Sequence, residues 1–125
     1  MNAGMLVIRQ QQLELLEEFG LCRWICGYLR SAYPRQTASV KDKELTATVK
    51  NRFREARKRG YRQGPEIRKY VHVAFLLGDG FPEHPQLQWA RKILESPDFH
   101  HEGARLRALE DATARFFDSK KAARQ

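Results

Sequence analysis

The chain has 125 residues, a formal net charge of +8, 42% hydrophobic and 30% charged residues. That length fits one domain and buries roughly two-thirds of its unfolded surface, enough for a core without metal or disulfide staples. The composition excludes a disordered chain, and the opening MNAGMLVIRQQQ, interrupted at Arg9, holds no apolar run long enough for a signal peptide or a membrane span.

The spacing predicts a first helix over 8–32. Leu15, Phe19, Cys22, Cys26, Leu29 and Tyr33 step by four and three, which places them on one amphipathic seam. Leu16 and Ile25 widen it. Gly20 weakens the middle by roughly 1 kcal/mol relative to Ala. Tyr33-Pro34 stops the helix, because a residue before proline avoids the helical region. Cys22 and Cys26 share a face with Cα atoms about 6 Å apart. Side chains on one helix face rarely reach disulfide geometry, so both read as reduced core residues. That usage fits a reducing compartment, the cytoplasm.

Residues 35–39 read as a short linker, with Thr37 or Ser39 as N-cap and Asp42 or Glu44 in the first turn of a second helix. Leu45, Val49, Phe53 and Ala56 give that helix a narrow apolar face, and Gly60 stops it near Lys58. Gly64-Pro65 opens a third helix. Its apolar stripe is Ile67, Tyr70, Val71, Ala74, Phe75 and Leu77, with Val73 and Leu76 on the other side, so it belongs in the middle of the fold. Gly78 and Gly80 close it, and Pro82 and Pro85 keep helix out of the corner that follows. A fourth helix starts near Pro85, with Leu87, Ala90 and Leu94 on one face and Trp89 and Ile93 beside it. Ser96-Pro97 ends it. A fifth runs over 102–117 with Leu106, Leu109, Ala112, Thr113 and Phe116 inward, and residues 118–125 read as a frayed basic tail. No strand pattern or repeat appears. The expected fold is all-α, one domain of about five helices.

Between 41 and 69 there are eleven Lys or Arg against four acids, an excess of +7. Such a run is either a solvated face or a surface for an acidic protein or for phosphates. A helix-turn-helix needs a polar recognition helix, whereas the helix after this run is apolar. Tyr61 is the best stacking aromatic within it. The corner 78–88, GDGFPEHPQLQ, is long for a small helical domain. Phe81 and Trp89 beside it read as partner anchors, or Phe81 as a staple between the flanking helices.

His72, His84, His100 and His101 lie near acids, but no pair has metal-ligand spacing. His84 reads as a loop residue and His72 as a packed one. A cysteine on an apolar seam has a raised pKa and makes a poor nucleophile, and no serine sits in an elbow. Neither a phosphate loop nor a cofactor motif is present. The sequence therefore predicts no enzyme, no cofactor and no metal. The candidate partner-binding residues are Arg54, Arg57, Lys58, Arg59, Arg62, Phe81 and Trp89. The partner is another protein with an acidic surface, with nucleic acid as the alternative and no membrane.

Arg57-Lys58-Arg59-Gly60-Tyr61, Glu66, Tyr70, Leu76-Leu77-Gly78-Asp79-Gly80-Phe81, Pro85, Trp89-Ala90 and Ile93-Leu94 follow one another over the central third of the chain. This order resembles a group of small uncharacterised all-helical bacterial proteins encoded near type VI secretion effectors and their spike components. The resemblance implies a cytoplasmic accessory that binds another protein, such as an immunity protein, an effector chaperone or an adaptor. It carries no functional residue over to this chain.

Overall fold

Proline and glycine set most of the element boundaries. The computed structural model describes residues 3–123, with side chains from 9 to 122. It is all-α, and no strand occurs among the described residues. The helices are α1 (Ala3–Ala32), α2 (Pro34–Thr37), α3 (Asp42–Lys58), α4 (Gly64–Leu77), α5 (Gln88–Glu95) and α6 (Glu102–Ala123), with a 3-10 turn at Pro85–Leu87. Length alone suggests one domain. The helices gather into two compact units, Met1–Phe53 and Arg54–Gln125, and α3 contributes to both.

In the first unit, Pro34 ends α1 and also opens α2, since a proline at the first helical position lacks only an N–H that would go unpaired. The expected linker is thus a helical turn. Neither expected N-cap acts as one. Thr37 is buried at the end of α2, and its hydroxyl donates back to the Tyr33 carbonyl at 2.8 Å. Arg30 then staples the chain into α3. Its guanidinium donates to the carbonyls of Thr37 (2.9 Å) and Val40 (2.8 Å) and to the Asp42 carboxylate (2.7 Å). The core residues here are Cys22, Ile25, Leu29, Leu45 and Val49. Cys26 hydrogen-bonds Thr46, and burial pushes its thiol above the usual range. Neither cysteine forms a disulfide.

The expected α1 seam holds only in its second half. Leu15, Leu16 and Phe19 are exposed, whereas Cys22, Ile25 and Leu29 are buried. An apolar period shows that a face wants cover, but not that its own unit supplies it.

The second unit opens with the end of α3. Gly60 takes a positive φ of 98°, and the Tyr61 N–H reaches back to the Ala56 carbonyl (3.1 Å) while Gly60 N–H reaches Arg57 (3.0 Å). This double bond pattern closes the helix and drives Tyr61 inward onto the core. α4 buries Ile67, Tyr70, Val71, Val73 and Ala74. Phe75, Leu76 and Leu77 are half-buried. α4 and α5 both pack on α6, which buries Leu106, Leu109 and Thr113. Arg105 joins α5 to α6, donating to the carbonyls of Ile93, Leu94 and Ser96 at 2.9, 2.9 and 2.7 Å. Those carbonyls lie at the C-terminal end of α5, where the Ile93 carbonyl also accepts the Ser96 N–H and a guanidinium complements the dipole.

Helix α6 does not fray at Asp118, as the polar composition suggests, but continues through Ala123. Lys and Ala are strong helix formers, and Lys120 and Lys121 complement the negative end of the dipole. Lys120 also lies 4.8 Å from the Phe116 ring centre. Residues 124 and 125 of the expected tail lie outside the described residues.

Candidate protein-binding surfaces

The basic strip is built by the end of α3 and the turn after it. Leu45, Val49, Phe53 and Ala56 are buried at steps of three and four, so most residues between them face outward. Arg54, Lys58, Arg59 and Arg62 are exposed, and Arg57 is half-buried. Residues 54–62 hold five bases and one acid. That acid, Glu55, is turned partly inward, where its carboxylate accepts the Tyr70 hydroxyl at 2.9 Å. Burial, with the Glu55 charge added, pushes the Tyr70 phenol far above its ordinary pKa, so it stays a donor. Arg59 lies 6.0 Å from the same ring centre. Arg57 and Lys58 sit in the last turn of α3, where cations are favoured.

The strip is thus a cationic surface backed by an aromatic core rather than interleaved with exposed rings. Tyr61, the expected stacking residue, is 2% exposed and packs 5.8 Å from Tyr70. No base can stack on it in this arrangement.

Phe81 is also 2% exposed, its ring edge-on to Tyr70 at 5.4 Å. It is a staple, and the anchor reading fails because the turn at Gly78, with φ 85°, folds it back onto α4. Trp89 is half-buried against Phe116, with ring centres 5.2 Å apart. Its indole N–H is buried without a hydrogen-bond partner. The structure therefore does not bring Phe81 or Trp89 to the basic strip as open anchors. A groove of about 270 Å³ beside the corner is lined by Leu76, Leu77, Leu87, Phe116 and Phe117 among others. Phe116-Phe117 was the signal for it, since adjacent rings on a helix cannot both turn inward.

Between α4 and α6, His72 Nδ1 lies 2.6 Å from a Glu110 carboxylate oxygen that also faces Arg68 at 3.3 Å. Burial raises the Glu110 pKa, but the bonds to His72 and Arg68 outweigh it and hold the carboxyl below its ordinary range. His72 is therefore a packed, partnered residue. His84 lies exposed in the corner loop and accepts from the Gln86 N–H at 3.1 Å. No group of three or more His, Cys, Asp or Glu among the described residues is placed to hold a metal ion.

The surface not anticipated is on α1. Leu13, Leu15, Leu16 and Phe19 are 60–66% exposed, and Trp24 is 50% exposed. No helix among the described residues is long and apolar enough to cross a membrane. No protein family, curated protein or solved structure matches the chain.

Proposed function

We propose that this chain is a non-enzymatic accessory that binds another, acidic protein through the basic strip. The observation that carries the reading is the exposure of Arg54, Lys58, Arg59 and Arg62 together, with the one neighbouring acid bonded to Tyr70. Such a strip steers an oppositely charged surface and sets the association rate more than the final affinity. The resemblance described above favours a cytoplasmic accessory of a type VI secretion effector, acting as immunity protein, chaperone or adaptor. Nucleic acid is the second reading for the same charges. The burial of Tyr61 counts against it, because sequence-tolerant binding of single strands needs exposed rings as well as cations.

The test is capture from nuclease-treated bacterial extract at about 150 mM salt, with wild-type chain and an Arg54→Glu/Lys58→Glu variant side by side. The reading expects one stoichiometric acidic protein held by the wild type and lost from the variant. Nucleic acid retained when nuclease is omitted, with no protein partner, would replace it with the phosphate reading.

A further inference from the structure

We propose that the groove beside the corner binds a small apolar carboxylate, a free molecule of about ten non-hydrogen atoms. The groove lies wholly within the second unit and measures about 270 Å³. That is about nine times the volume of a water molecule in the liquid, so it takes a compact body rather than a helix or a nucleotide.

Three elements build it. Leu76 and Leu77 come from the end of α4, Leu87 from the 3-10 turn, and Phe116 and Phe117 from α6. Trp89 packs against Phe116 with ring centres 5.2 Å apart, and Phe117 meets the same ring edge-on at 5.5 Å. The aromatic wall is thus in place before a ligand arrives, and binding requires little further ordering.

The polar groups of the lining choose the head group. Lys120, exposed on α6, offers only donors, and its ammonium lies 4.8 Å from the Phe116 ring centre. His84 Nδ1 already accepts the Gln86 N–H at 3.1 Å, so the proton of the neutral ring is on Nε2, and that nitrogen donates. The Gly80 carbonyl is taken by the His84 N–H at 2.8 Å. None of the described residues lining the groove is Asp or Glu. An apolar body with an acceptor head fits this set, and a carboxylate gives Lys120 a charged partner. An ammonium head is repelled by Lys120. A sugar leaves most of its hydroxyls against five apolar side chains. Volume, lining and donor character point to one class of ligand, and none of them depends on the basic strip.

The test is a titration of the isotope-labelled full chain with octanoate, followed residue by residue in amide NMR spectra. The expected dissociation constant is of order 0.1–1 mM, with the largest shifts at Leu76, Leu77, Leu87 and Phe117. From butyrate to octanoate each methylene should tighten binding about two- to fourfold, and decanoate should gain less because the groove is full. Lys120→Gln, at an exposed position, should keep the fold and weaken octanoate about threefold while leaving 1-octanol unchanged. Phe117→Ala should weaken both. Arg54→Glu/Lys58→Glu should bind octanoate as the wild type does, which separates this site from the strip. Shifts centred on Leu13, Leu15, Leu16 and Phe19, or scattered over lysines and arginines, would overturn the proposal. So would 1-octanol bound as tightly as octanoate, a Lys120→Gln variant with unchanged octanoate affinity, or a leucine-terminated peptide bound more tightly than octanoate.

Discussion

Glu110 shows how one side chain ties two helices by charge. Its carboxylate faces His72 and Arg68 while only 21% of the side chain is exposed. Glu110→Gln should cost about 1–2 kcal/mol at neutral pH, because it leaves those two partners with a weaker acceptor. The sign of the pH dependence follows from a carboxyl held below its ordinary value of about 4.5. Its contribution is complete above that value and is lost as pH falls through it to the lower folded value. Urea unfolding from about pH 7 down to about pH 3 should show wild type and Glu110→Gln converging at the acid end. Trp89 makes the opposite case. Trp89→Phe keeps most of the contact with Phe116 and removes a buried N–H without a partner, so the unfolding midpoint should hardly move. Trp89→Ala opens a void and should cost about 2–3 kcal/mol in the same measurement.

At the scale of the element, helix ends were legible and helix cover was not. Tyr33-Pro34, Gly60, Gly64-Pro65 and Ser96-Pro97 each mark an observed boundary, because proline and glycine act on the backbone locally. The apolar faces of α3 and α5 were legible for a similar reason, since period reports which face wants burial. Whether that face is buried depends on what the rest of the chain brings to it. Hence α1 could be read as a seam but not as one half bare, and Phe81 could be read either as anchor or as staple. The polar composition after Asp118 suggests a tail, whereas its Lys and Ala residues favour helix and α6 continues through them. Gly60 offers a clean test at this scale. Nothing lies within 4 Å of a Cβ placed there, so Gly60→Ala meets no clash and pays only for its φ of 98°. The expected loss is about 1–2 kcal/mol in thermal or urea unfolding, with the fold retained.

At the scale of the whole molecule, charge is divided unevenly along the chain. α1 is neutral, and residues 41–69 carry an excess of +7. This division was visible in the sequence, and the structure adds which of the charges reach solvent. Arg54, Lys58, Arg59 and Arg62 do, whereas Arg68 turns to Glu110 and Arg105 to the end of α5. The cationic strip on the second unit suits contact with an oppositely charged partner. The decisive measurement is the association rate between the wild-type chain and the captured protein, across ionic strength and repeated with Arg54→Glu/Lys58→Glu. The wild-type rate is expected to fall steeply with salt and the variant rate to be about tenfold lower at low salt, with dissociation nearly unchanged. Equal association rates for the two chains, in a variant that folds normally, would contradict it.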